Sequence, residues 1–151
     1  MAIRQILVPV DYSECSSAAL AAAGLLAKTL GASLDLVHVW DRPLDLSDDV
    51  RVHQPSGESR SLLDMIRENA ELELAAFMKE VRIPEGVPVT QRLLAGNPAA
   101  TILAELSAGH HDLLVIGTHG RTGLRHLLLG SVAEKLVRLS PVPVLTVPLT
   151  K

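Results

Sequence analysis

Cysteine is almost absent from this chain: Cys15 stands alone, so no internal disulfide can form and a reducing compartment is expected. Aromatic residues make up only 2% of the 151 residues, with one Trp, one Tyr and one Phe, whereas hydrophobic residues reach 48%. The core must therefore be built from Leu, Val, Ile and Ala, which suits parallel strands covered by helices on both faces. Basic residues are neither in excess nor clustered. The formal net charge is −3, which argues against a nucleic-acid surface, since that needs a basic patch against phosphates. Long apolar runs are missing as well. The opening from Met1 to Pro9 is too short for a signal peptide, and no stretch reaches the roughly 18–20 residues that span a bilayer. The expectation is one cytoplasmic domain over residues 1–151, with no membrane partner.

Two nucleotide motifs are also lacking. No Gly-Lys-Ser/Thr occurs, so there is no Walker A loop, and no Gly-x-Gly-x-x-Gly follows the first apolar run. No histidine spacing demands zinc and no cysteine pair supports one, so no metal site is expected.

What the chain does have is regular alternation. Ile3 to Val10 is apolar and β-branched and reads as a buried strand. Asp11, Ser13, Ser16 and Ser17 offer helix caps before an Ala- and Leu-rich helix from Ala18 to Leu30, which Gly31 ends. Ser33 to Val39 is a second strand. Residues 41–60 are polar and read as an exposed loop. Leu62 to Val81 carries apolar residues at helical spacing, and Val87 to Leu94 follows as a third strand. Asn97-Pro98 is a helix start, an Asn cap before Pro at the first helical position, and the helix runs to about Ser107. Leu113 to Ile116, Ser131 to Leu139 and Val142 to Val147 complete a βαβαβαβαβ order. That order predicts an α/β domain, a five-stranded parallel sheet with helices on both sides. The prolines at 141, 143 and 148 put the fifth strand at an edge.

The chemistry concentrates where the fourth strand ends. Gly117-Thr118-His119-Gly120 follows it, and nine residues after Gly120 come Gly130-Ser131, which open a helix. Glycines admit close backbone approach, and a helix N-terminus presents unpaired N–H groups at the positive end of its dipole, so the pattern reads as a phosphate cradle. The first strand ends in Pro9-Val10-Asp11. If these two strand ends are neighbours where the strand order reverses, Asp11 can hydrogen-bond a ribose or base beside the glycines.

Other residues carry two readings. Arg121 and Arg125 either pair with a terminal phosphate or are solvated loop cations. Ser131 reads as a phosphate donor or a help in holding a metal, and equally as a helix cap, two roles that are compatible. His110 and His111 read as structural, His119 as a contact rather than a base, and Cys15 as a buried filler. Asp41, Asp45, Asp48 and Asp49 form a solvated charge run rather than a metal cluster.

Gly117, Gly120, Gly130 and Ser131 complete the Gly-x2-Gly-x9-Gly-Ser/Thr signature of the universal stress protein family. The opening ILVPVDYSECSSAAL, the strand LVHVW and the ending PVPVLTVP also resemble that family, in order and over essentially the whole chain. The resemblance implies strand order 3-2-1-4-5 and an ATP site, with or without magnesium. Asp11 would meet the nucleoside, with Pro9 and Val10 as further candidates at the same strand end, and the backbone around Val39 would meet adenine. Gly117, Thr118, His119, Gly120, Gly130, Ser131 and Val132 would surround ribose and phosphates, and Arg121 joins these candidates by its place in the loop rather than by the resemblance. It further implies a homodimer through the fifth strand, Val142 to Val147, and a regulatory role in stress response with an unnamed protein partner. No residue is assigned as catalytic. The alternatives are a slow ATPase or autophosphorylating enzyme, and a nucleotide-free dimeric scaffold; AMP, a cyclic nucleotide or a flavin are alternative ligands. On this reading, Gly117→Val or Gly130→Ala weakens ATP binding and leaves the fold intact.

Overall fold

Residues 1–42, 46–119 and 129–149 are described by the structure, a computed structural model. β1 (Gln5–Pro9) leads through α1 (Glu14–Leu30) to β2 (Ser33–Trp40). A short pair, β3 (Arg51–His53) and β4 (Ser59–Ser61), precedes α2 (Leu62–Glu80). Then come β5 (Val89–Ala95), α3 (Pro98–Ser107), β6 (Leu113–Gly117), α4 (Ser131–Leu139) and β7 (Val144–Val147). The main sheet runs β5-β2-β1-β6-β7 with every pairing parallel. In terms of the five predicted strands this is 3-2-1-4-5, and the last strand does lie at an edge.

Alternation within the strands divides the core. Ile6, Val8, Leu34, Leu36, Leu113 and Val115 face Ala19, Leu20, Ala23 and Ala27 of α1 and Leu74 and Phe77 of α2. Leu7, Val37, Leu114 and Ile116 point the other way, onto Ile102 and Leu106 of α3 and Ala133 and Leu136 of α4. A period of two on strands buried on both sides gives this two-sided filling. Each fully buried Leu or Ile contributes about 1.5–3 kcal/mol relative to exposure.

Two local expectations need correction. The segment 41–60 is not loop throughout, because β3 and β4 pair antiparallel with Val52 opposite Arg60. Their turn uses Gly57 at φ +87°, and Leu62 N–H donates to Val50 O, which ties the hairpin to the start of α2. Sequences as short and polar as Arg-Val-His and Ser-Arg-Ser carry no alternation from which to read a strand. α1 also starts at Glu14 rather than Ala18. Ser13 is its cap and accepts from Ser16 N–H, so Ser16 and Ser17 fall inside the helix.

Asn97 caps α3 as the sequence predicts, its Oδ1 accepting from Ala100 N–H at 3.1 Å with Pro98 at the first helical position. Asn97→Ala is expected to cost about 1 kcal/mol of stability, measurable by urea denaturation.

Candidate functional site

β1 lies between β2 and β6 in the sheet but is followed in sequence only by β2. The connections therefore diverge between the C-terminal ends of β1 and β6, and a crevice opens there. It is a cavity of about 270 Å³. Its walls are Pro9 at the end of β1, Val10 and Asp11 after it, Val39 of β2, Ile116 and Gly117 of β6, and His119 beyond that strand. Ser16 of α1, Pro98 and Ile102 of α3, Gly130, Ser131, Val132 and Ala133 at the start of α4, and Leu136 in its second turn complete them.

The structure thus brings together Pro9, Val10, Asp11, Val39, Gly117, His119, Gly130, Ser131 and Val132, which are far apart in sequence. Thr118 stands apart from the lining. It is buried, its Oγ1 is 2.9 Å from His119 Nδ1, and its carbonyl accepts from Gly130 N–H at 2.7 Å. That bond brings the two ends of the 118–130 loop together. Gly120 and Arg121, with Arg125, lie outside the described residues. Ser16, Pro98, Ile102, Ile116, Ala133 and Leu136 were not foreseen as lining. Most are apolar core residues, and only helical spacing from Asn97-Pro98 and Gly130-Ser131 could have led to them.

Helix starts supply most of the polarity. The side chains of Ser13, Ser61 and Asn97 each accept a first-turn N–H in α1, α2 and α3. α4 differs: its cap is Gly130, with no side-chain cap bond, and Ser131 is its first helical residue rather than its cap. The N–H groups of Ser131, Val132 and Ala133 have no acceptor within the helix. Asp11 adds a carboxylate, whose Oδ1 accepts from Ser13 N–H at 3.0 Å and from the Ser13 hydroxyl.

Gly117 has a packing role that the motif alone does not reveal. A Cβ placed there would lie 2.8 Å from the carbonyl carbon, Cβ and carbonyl oxygen of Cys15. The first turn of α1 therefore rests directly on the end of β6. Cys15 itself is buried, in keeping with a filler role.

A second polar group sits away from the cavity. Asp35 of β2 is buried and meets Arg92 of β5 through Nη2 at 2.6 Å and Nε at 3.1 Å. Arg92 also reaches Glu105 of α3 at 2.7 Å, and His111 Nε2 lies 2.8 Å from Asp35 Oδ2, the oxygen that Arg92 Nη2 also meets. A carboxylate accepts, so that imidazole carries its proton on Nε2, and its buried Nδ1 has no partner among the described residues. His111 is structural, as read, though its partner is Asp35 rather than a helix end; His110 is exposed. Burial pushes the Asp35 carboxyl up, but hydrogen bonds from Arg92 and His111, the Arg92 charge and Thr90 hold it below the usual carboxylate range. Among the described residues no three His, Cys, Asp or Glu side chains are grouped for a metal; Asp48 pairs with Arg42, and Asp45 lies outside the described residues.

A cleft at the strand-order reversal, walled by a helix start that has no side-chain cap, defines a small doubly wound α/β domain with a pocket at its strand ends. The model of the universal stress protein family matches residues 2–148, and the chain belongs to that family. It is 32% identical over 144 residues to universal stress protein MJ0531 of Methanocaldococcus jannaschii, covering 95% of this chain and 81% of that protein. The solved structure of MJ0577 from the same organism superposes with a TM-score of 0.78 at 25% identity, over 100% of this chain and 99% of that one. Two further structures share the fold. One is a universal stress protein in complex with cAMP, with a TM-score of 0.63 at 22% identity over 98% of each chain. The other, from Archaeoglobus fulgidus, is in complex with dAMP, with a TM-score of 0.58 at 21% identity over 97% and 98% of the two chains. Among the described residues no helix is long and apolar enough to cross a membrane.

Proposed function

We propose that this chain binds an adenine nucleotide in the cavity, ATP by its glycine signature, and that a homodimer presents the occupied state to a protein partner in a cytoplasmic stress response. The observation that carries the reading is the start of α4, which lines the cavity without a side-chain cap. Its free N–H groups and dipole suit an anion with several oxygens. Asp11 suits a ribose hydroxyl, and Pro98, Ile102 and Leu136 suit the flat face of a base. Two proteins of the same fold, one solved with cAMP and one with dAMP, lend support to an adenine nucleotide.

Binding is favoured over turnover, because hydrolysis needs a group that positions water. Asp11 is the carboxylate among the described lining residues, and one of its oxygens is already engaged by Ser13. The dimer reading rests on β7, an edge strand on which Leu145 is exposed, and on exposed Val137 and Leu139 of α4.

Ser131→Pro tests the site. Proline is favoured at the first helical position, so α4 persists while one N–H and the hydroxyl are deleted. Calorimetry is expected to show ATP affinity falling by about tenfold or more, the worth of one charge-assisted hydrogen bond. Unchanged affinity would remove α4 from the site. Failure of the wild-type chain to bind ATP, with magnesium present, would end the nucleotide reading.

A further inference from the structure

Tyr12 stands out in the backbone: among the described residues it is the non-glycine residue with φ in the left-handed region, at +67°. A bulky residue persists there only when its surroundings over-determine it. Here they do so through rings. The Tyr12 ring stacks on His38 with centroids 4.3 Å apart and planes 24° from parallel, and it meets Phe77 of α2 at 5.3 Å. Its hydroxyl is 3.5 Å from Ala70 O, a contact too long to hold the ring by itself.

The same imidazole also fixes the other side of the turn. His38 Nδ1 is 2.7 Å from Val10 O, and because a carbonyl only accepts, Nδ1 carries the proton. Val10 N–H donates to Val37 O at 2.9 Å. Asp11 is thus flanked by two residues that β2 holds, one by hydrogen bonds and one by stacking. Its Oδ1 then accepts from Ser13, whose hydroxyl caps α1.

We propose that Tyr12, stacked on His38, is a positioning residue that presets Asp11 and the first turn of α1 at the cavity. Ring packing maintains a backbone conformation that tyrosine does not favour. That conformation turns the chain between Asp11 and Ser13 before any ligand arrives, so the ordering cost is met on folding rather than on binding. The proposal rests on the nucleotide reading only for its effect on affinity; the preset turn is a property of the free protein.

Tyr12→Phe and Tyr12→Asn separate the ring from the backbone. Phe keeps the stack, whereas Asn accepts the left-handed region readily and has no ring. Amide hydrogen exchange at Ser13 and Ser16 is compared with exchange at Ile6, Leu7 and Val8 of the same molecule, which corrects for any global loss of stability. Tyr12→Phe is expected to stay within about twofold of wild type in both exchange and ATP affinity. Tyr12→Asn is expected to speed exchange at Ser13 and Ser16 by about tenfold beyond the β1 amides, and to weaken ATP by about tenfold. If Tyr12→Asn matches wild type, or if Ser13 and Ser16 change only as much as the β1 amides, the ring does not set the turn and the proposal falls. A wild-type protein that binds no ATP would overturn the nucleotide reading, and the exchange comparison would still decide the role of Tyr12.

Discussion

Gly117→Ala is expected to destabilise the fold by about 2–3 kcal/mol, and Gly117→Val by more, before any ligand is added. Three atoms of Cys15 stand 2.8 Å from where the new Cβ must go, and two of them are backbone. No rotamer change relieves such a contact. Relief requires α1 to lift from the end of β6, and Ala19, Leu20 and Ala23 of that helix are fully buried against the sheet. The expectation that Gly117→Val leaves the fold intact is therefore corrected. Urea denaturation of the ligand-free protein, followed by circular dichroism, reads the effect. For a domain of this size, 2–3 kcal/mol also corresponds to a fall in melting temperature of roughly 4–12 °C. A Gly117→Ala variant as stable as wild type would show that the α1–β6 contact gives way easily, and any loss of nucleotide affinity would then belong to the pocket alone. With the expected result, binding experiments on Gly117 variants report stability as well as contact, and Ser131→Pro is the cleaner probe of the site.

The frame was legible because its signals are periodic. Apolar β-branched runs such as Ile6-Leu7-Val8 and Leu114-Val115-Ile116 are strands buried on both sides, and Gly31 and Asn97-Pro98 stand where helices end and begin. Strand order came from the family resemblance rather than from periodicity, since alternation alone does not say which strands are neighbours. The ends of β1 and β6 were legible as chemistry, a carboxylate and glycines, and the fold brings them to one cavity. What stayed hidden depends on contacts between distant residues. Asp35 looks like any polar residue in an alternating strand until Arg92, His111 and Glu105 are placed around it. Gly117 looks like a ligand glycine until Cys15 is found on it. Tyr12 gives no sign of its left-handed backbone, because the stabilising ring lies 26 positions away in sequence, at His38. The apolar wall of the cavity is indistinguishable from core in a sequence, since Ile102 and Leu136 serve both.

Arg92→Met is the second substitution with a large expected effect, a loss of about 2–3 kcal/mol at neutral pH. Removing one partner from a fully buried ion pair costs about 3–5 kcal/mol, because the other charge is left without compensation, whereas exposed pairs contribute about 1 kcal/mol or less. Asp35 is nearly fully buried but the Arg92 side chain is 36% exposed, which puts the cost between these limits. Methionine keeps much of the arginine stem against β2 and α3, so the loss reports the charge and its hydrogen bonds rather than packing. Glu105→Gln breaks only the outer, part-exposed pair and is expected to cost less than about 1 kcal/mol. The two variants also differ in their response to acid. The folded Asp35 carboxyl titrates below its unfolded value, so its ionised form stabilises the fold above about pH 4, and that contribution is lost as pH falls through the folded-state pKa. Arg92 supplies both a hydrogen bond and a charge to that depression, against the upward push of burial. In Arg92→Met the folded pKa returns towards or above the unfolded one, and the decline of stability below about pH 5 flattens. Urea midpoints measured from pH 7 down to pH 3 separate the cases. An unchanged midpoint at pH 7, or an acid slope equal to that of wild type, would mean that His111 and Thr90 suffice to hold the Asp35 carboxylate and that Arg92 only bridges to α3.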